Sequence, residues 1–445
     1  MNSLRNYALV LGLMRQSAFR VGLLLPAMFL ALATGRAQTS PPNTLPNNPF
    51  VTGPEAPKTE PLTKERKEEI LSELGNVVLK QAFVPGVNLS KWPEFLEKQR
   101  EDIDKAEKDT DFARAVNRAL SQFGVSHIRF LPPRAAQSRV RTSTIGIGVG
   151  TRPDKDGLTI MSVFPKSPAE VAGIKQGETI VSVDGKLPEA SDALLGDEGT
   201  EMTLKLRDKD GKERELKIKR ERYSTVREDT LTWMGDDTAV LKIHSFSRGY
   251  SRENIAKLMS EAGKAKYLVL DLRSNGGGLI NNLQHLLNML LPDQTVVGTF
   301  INRSEAAQYA ENHAGDQSAD PIAIAKEVKD QFKTRHMPVD PFVGKIAVLV
   351  NRGSASASEI CAMALRENLG APIVGAQSAG AVLASMFRRL PYGFEVQFPV
   401  SDYVSKNGVR LEKTPIVPDV EVTEKAEEGK PDPAIEKAIA KLKGV

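Results

Sequence analysis

Two stretches of this chain place small residues where a strand gives way to a helix, and both could do chemistry. The first is Asp271-Leu272-Arg273-Ser274-Asn275-Gly276-Gly277-Gly278. Glycines let backbone N–H groups point at an anion, so the segment reads as a phosphate cradle, an oxyanion hole or a tight turn. It lacks the Gly-x-x-x-x-Gly-Lys-Ser/Thr spacing of a nucleotide-binding P-loop. The second is Asn351-Arg352-Gly353-Ser354-Ala355-Ser356-Ala357-Ser358-Glu359. A serine at such a turn is exposed beside unpaired N–H groups, which suits a nucleophile carrying its own oxyanion donors. Helix capping by Ser354 or Ser358 fits the same residues. A serine nucleophile needs a base. There are five histidines, His127, His244, His285, His313 and His336, and their spacing does not select one.

The elements that must position these groups follow from periodicity. Tyr267–Leu272 and Ile346–Val350 are continuous apolar runs of buried-strand length, and each is followed by a helical pattern, Ile280–Leu291 and Ala357–Asn368. Strand–helix alternation between about 230 and 420 predicts an α/β core with parallel strands. Residues 302–342 interrupt it as a polar, helix-prone insertion or lid. Residues 143–222 carry short β-rich runs, with Asp184-Gly185 and Asp210-Gly211 as turn signals. Between two of those runs Ser167 caps a short helix, Pro168 takes its first position and Gly173 ends it. Residues 63–135 are helical, with Leu71, Leu74, Val77 and Val78, then Phe112, Ala115, Leu120 and Phe123, at helix spacing. Residues 426–445 read as a charged, solvated tail holding one helix, Asp432–Leu442.

Composition narrows the function classes. The 445 residues suffice for roughly three domains. A net charge of +4, from 60 basic and 56 acidic residues, gives no support for nucleic-acid binding. One cysteine, Cys361, excludes an intrachain disulfide framework and a CxxC zinc site, and its apolar helical setting reads as a small core residue. No metal cluster is present in the sequence, so no cofactor is expected. Arg5, Arg15 and Arg20 precede the apolar run Val21–Ala33, and small residues up to Ala37 complete an export signal over 1–37. A signal anchor is the alternative, but Pro26 interrupts the run. A Pro-rich linker follows over 38–62. The mature chain is expected to be exported, periplasmic or extracellular, with no membrane span remaining.

Taken in order, these motifs resemble the C-terminal processing (tail-specific) serine peptidases over most of residues 63–425. Ser354–Glu359 is similar to that family's active-site motif, with Ser356 as nucleophile, and Asp271–Gly278 to its glycine turn. Gly146-Ile147-Gly148-Val149, Ser167–Ile174, Gly177 and Val183-Asp184-Gly185 are similar to its PDZ domain. The resemblance implies a ClpP/crotonase-like peptidase core over 223–425, an inserted, mostly β PDZ domain over 143–222 and an N-terminal helical region. One departure matters: where Ser–Lys members carry a lysine, this chain has Ala381, and no lysine occurs between Lys345 and Lys406. The tricorn-like branch uses a histidine in a Ser-His pair ahead of the PDZ region and a distant glutamate. Ser126-His127 and Val409-Arg410-Leu411-Glu412 are similar to those segments.

The resemblance thus implies a triad of Ser356, His127 and Glu412, with the N–H groups of Gly277 and Ala357 as oxyanion hole. Glu359 is the alternative acid. In the PDZ-like module, Ile145, Gly146, Ile147, Gly148 and Val149 are expected to capture a C-terminal carboxylate while the peptide adds as a strand. A flap that gates the site is the alternative. The implied activity is an exported serine endopeptidase acting on protein or peptide substrates with free C-termini. A catalytically inactive PDZ-containing peptide-binding protein is the second reading, motivated by the missing lysine. A crotonase-type acyl-group enzyme is the third.

Overall fold

The computed structural model describes residues 61–188, 191–313, 315, 320–424, 426 and 429–445. The expected export signal and nearly all of the Pro-rich linker lie outside the described residues.

Apolar strands that can bury both faces form the central sheet. Its six strands run in the order Val420–Glu421, Ile373–Gly375, Lys345–Val350, Tyr267–Asp271, Thr238–Lys242, Thr230–Trp233. All neighbours are parallel except the last pair. Alternate side chains point to opposite faces. Leu241, Leu268, Leu270, Ile346 and Val348 therefore pack on one side against the helices Arg252–Ala262, Ile280–Leu287 and Ala357–Leu369. Val240, Val269, Ala347, Leu349 and Val374 point the other way, against Ala434, Ala438 and Leu442 of the helix Pro433–Lys443. This corrects the expectation of a solvated tail. The charged C-terminal segment carries an apolar stripe at helical spacing, and the second face of the sheet needs that cover to leave water.

A second sheet is organised by the long strand Glu395–Ser405. It pairs with Arg129–Leu131, Val296–Asn302 and Ala384–Arg389, and Val296–Asn302 also pairs with Phe332–Lys333. The insertion at 302–342 contributes to this sheet. Its helices Arg303–Asn312 and Pro321–Glu327 are anchored by Ile324 and Ala325, which pack with Ile301 and Val404. The N-terminal helices Lys64–Lys80 and Asp109–Ser121 share one apolar cluster with Val396 and Phe398 of the long strand and with Phe394 just before it. That shared core carries the helical region to the peptide turns described next. Residues 143–224 build a separate small core on a five-stranded antiparallel sheet from Val149–Asp154 to Glu213–Lys219, joined to the rest by the pair Ser143–Gly146 and Glu221–Ser224. No helix among the described residues is long and apolar enough to cross a membrane.

Candidate active site

The parallel strands Tyr267–Asp271 and Lys345–Val350 are neighbours, so the glycine turn and the serine turn leave the same sheet end side by side. The three serines of 354–358 then divide their roles. Ser354 and Ser358 are fully buried, and their hydroxyls donate to Leu272 O and Asn275 O, both at 2.8 Å. They staple one turn to the other. Ser356 between them is only half-buried. It takes φ 58° and ψ −119°, a backbone state that costs a non-glycine residue about 1–3 kcal/mol. The surroundings hold it there: Ser356 N–H donates to Ala381 O and to Glu359 Oε2, each at 3.0 Å. Glu359 is fully buried and also accepts from Ser378 Oγ, Gly380 N–H and Ala381 N–H at 2.6–3.0 Å. Its charge is satisfied by dipoles. It touches no histidine, so its place is in the frame of the serine turn rather than beside a base.

Ala357 opens the helix Ala357–Leu369, and its N–H makes no hydrogen bond among the described residues. It is a free donor next to the serine. Gly277 lies against both: a Cβ added there would stand 2.8 Å from Ser356 Cβ and 3.0 Å from Ala357 N, at a φ of +90°. Only glycine fits. Its N–H, however, already donates to Asn275 Oδ1 at 2.9 Å. The side chain two residues upstream thus closes a local turn on Gly277, and Ala357 N–H is the donor left open.

The base side comes from far away in the chain. Asn117, on the helix Asp109–Ser121, donates to Phe130 O and accepts from Phe130 N–H, both at 2.8 Å, holding the strand Arg129–Leu131 against that helix. Between helix and strand, the turn at 124–127 places Ser126 and His127 (φ 56°), a positive φ that histidine adopts more readily than most residues. Glu412 is 2% exposed. Its carboxylate accepts from Ser126 N–H and Ser126 Oγ at 2.8 Å and from Val382 N–H at 2.9 Å. Ser126 Oγ in turn lies 2.7 Å from His127 Nδ1.

This chain of bonds fixes a tautomer. An ionised carboxylate only accepts, so the Ser126 proton goes to Glu412 and the Ser126 oxygen accepts Nδ1–H. Nε2 is left bare. Burial lowers the His127 pKa, partly offset by the Glu412 charge, so the neutral form is favoured. Glu412 therefore reaches the imidazole through Ser126, not directly. The sequence holds Ser126 in the pair used to place His127, yet its bridging position appears only in three dimensions. The two halves meet at residues 381–382: Ala381 O takes Ser356 N–H, and Val382 N–H takes Glu412. Residue 381 thus sits at the serine turn carrying a methyl group.

The other histidines are placed elsewhere. His244 follows the strand Thr238–Lys242, with its N–H on Asp229; His285 Nδ1 lies 3.0 Å from Tyr250 Oη; His313 pairs with Glu327; His336 is exposed. Cys361 is buried, with its thiol pKa pushed up by that burial. In the small module, Ile145 and Gly146 are strand residues paired with Arg222 and Glu221. They are not part of an open loop, which corrects that part of the expectation. Ile147 and Gly148 form the turn, and their N–H groups make no hydrogen bond among the described residues. Val149 begins a strand at the sheet's edge. No group of three or more potential metal ligands occurs among the described residues.

Comparison with known proteins adds an independent line. Residues 237–422 match the model of peptidase family S41. A carboxyl-terminal-processing protease of Picosynechococcus sp. is 27% identical over 321 residues, covering 68% of this chain and 71% of its own. The chloroplastic carboxyl-terminal-processing peptidase 1 of Arabidopsis thaliana is 27% identical over 377 residues, covering 79% and 71%. Among solved structures, a photosystem II D1 C-terminal processing protease superposes with a TM-score of 0.50 at 24% identity, over 81% of this chain and 94% of that one. That likeness is one of fold.

Proposed function

We propose that this chain, whose residues 237–422 match the model of peptidase family S41, is an exported serine endopeptidase that hydrolyses protein substrates through Ser356, His127, Ser126 and Glu412. The observation that carries this reading is the hydrogen-bonded series Glu412–Ser126–His127, which leaves Nε2 as the basic nitrogen. Ser356 Oγ attacks the scissile carbonyl while His127 Nε2 takes its proton. The imidazolium gives that proton to the leaving amine, and water then hydrolyses the acyl-enzyme by the same route. Glu412, acting through Ser126, stabilises the charged imidazole. Ala357 N–H holds the oxyanion. Gly277 N–H becomes the second donor when the substrate oxygen displaces Asn275 Oδ1.

Residues 143–222 act in this proposal as a PDZ domain, with the free N–H groups at Ile147 and Gly148 offered to a C-terminal carboxylate and the edge strand Val149–Asp154 offered to the peptide. The core is read as ClpP/crotonase-like, and the segment 1–37 as the signal that exports it. The test is digestion of an unfolded protein with an apolar, free C-terminal tail, alongside Ser356→Ala and His127→Ala. Cleavage lost in both variants is the expected result. Normal cleavage by His127→Ala would reassign the base, and an inert parent on several substrates would favour a peptide-binding protein instead.

A further inference from the structure

Beside the glycine turn, with Arg273 and Ser274 in its wall, lies a cavity of about 500 Å³ whose lining contains no carboxylate. Arg139, Arg227, Lys242, Arg248 and Arg273 line it. Three of these are neutralised from outside it: Arg139 by Glu395, Lys242 by Asp271, and Arg273 by Asp271 and Asp432. Arg227 and Arg248 have no ion pair among the described residues. Arg248 donates to Ser138 O at 2.9 Å, and Arg227 stands 5.3 Å from the Phe164 ring centroid without a hydrogen bond. Beside them the Thr225 hydroxyl is buried with no hydrogen-bond partner. A buried orphan hydroxyl is uncommon in a folded chain and points to a missing acceptor.

The field in the cavity is positive. His244, also on its wall, has its pKa lowered by burial and then by Lys242 and Arg227. Arg248 is pushed down by burial and by Arg139. The cavity adjoins the active site through shared backbone. Ser245 and Ser274 line it, Ser245 Oγ lies 3.5 Å from Gly277 O, and Gly277 faces Ser356.

We propose that this cavity is a carboxylate-binding subsite for the peptide substrate, with Arg227 and Arg248 supplying the uncompensated charge and Thr225 a hydroxyl donor. Guanidinium groups match the planar carboxylate as a pair of parallel donors. Peptides bring carboxylates from two sources, the chain terminus and Asp or Glu side chains. The inference rests on the peptidase reading for its choice of ligand, but binding can be tested without turnover.

The experiment uses Ser356→Ala protein and three fluorescein-labelled alanine-rich decapeptides, read by anisotropy. One ends in a free carboxylate, one in an amide, and one in an amide with a single internal Glu. At least one carboxylate peptide is expected to bind about tenfold tighter than the uncharged amide. Which one does so identifies the source. Adding Arg227→Gln and Arg248→Gln should bring the ratio to within about twofold while leaving amide binding unchanged. Equal binding of all three peptides to the parent overturns the proposal. So does a ratio that survives in the double variant, since the carboxylate would then sit elsewhere, such as at Ile147 and Gly148. If the double variant unfolds early, Arg227→Glu alone decides, because Arg227 makes no hydrogen bond to lose. Loss of the carboxylate preference supports the site, and its retention refutes it. A parent that cleaves nothing while Ser356→Ala keeps the arginine-dependent ratio would sink the peptidase reading and leave the subsite standing.

Discussion

The serine side and the base side of this site are built in different ways. Ser356, Ala357 and Gly277 stand just beyond two neighbouring parallel strands of one sheet, and their turns are stapled by buried serines, Asn275 and Glu359. The base side joins a helical-region turn to a glutamate 286 residues further on, through the N–H and hydroxyl of Ser126. The serine side is determined by local chain geometry and tolerates strain because hydrogen bonds surround it. The base side depends on the N-terminal helices docking on the long strand Glu395–Ser405. In the proposed mechanism, reactivity at Ser356 is thus conditional on a second, separately packed region.

The largest expected effect tests the two sides as one machine. Ser356→Ala and His127→Ala should each lower kcat/KM on the order of 10⁴-fold or more, and the double variant should be no worse than either. Additive losses would break the comparison, since the two sides would then act independently. A smaller loss, on the order of 10²–10³-fold, is expected for Ser126→Ala, which removes the link between Glu412 and the imidazole. Glu412→Gln should match it, and the pair should be non-additive in kcat with thermal unfolding monitored beside it.

The pH dependence sharpens the same contrast. His127 must be neutral to accept a proton, and burial lowers its pKa from 6.5, so the acid limb of kcat/KM should fall below pH 6.5. Because the Glu412 charge raises that pKa, Glu412→Gln should move the limb to still lower pH. A limb that does not move would detach the glutamate from the base.

The smallest effect concerns stability alone. Asp229 is buried beneath His244 N–H, and its pKa is raised from 3.8 to about 6. The folded state therefore holds the proton longer than the unfolded chain, and stability falls as pH rises from 3.8 through about 6. Asp229→Asn keeps the acceptor without the charge. It should stabilise the protein above pH 6 by on the order of 1–3 kcal/mol in denaturant unfolding, with the gain vanishing near pH 4.

Much of the core was legible because its signals are local. Tyr267–Asp271 and Lys345–Val350 are short apolar runs ending in small residues, and a strand, a turn and a helix follow from those alone. The polar segment 302–342 and the charged C-terminus were less legible for one reason. Each carries just enough apolar residues, Ile324 and Ala325 in one and Ala434, Ala438 and Leu442 in the other, to cover a sheet whose demand for cover is a tertiary fact. Glu412 was named only through the resemblance, with Glu359 as the alternative, and only packing shows it 2% exposed with three donors.

The sequence by itself determined the two strand–turn–helix segments, the small residues in their turns and the absence of an amine at position 381, since these depend on residue type and near neighbours. Tertiary structure decided which histidine is linked to Glu412, that Ser126 carries the bridge, and that Gly277 N–H is held by Asn275. Those are distances between groups, and periodicity along a chain carries no information about distances across it.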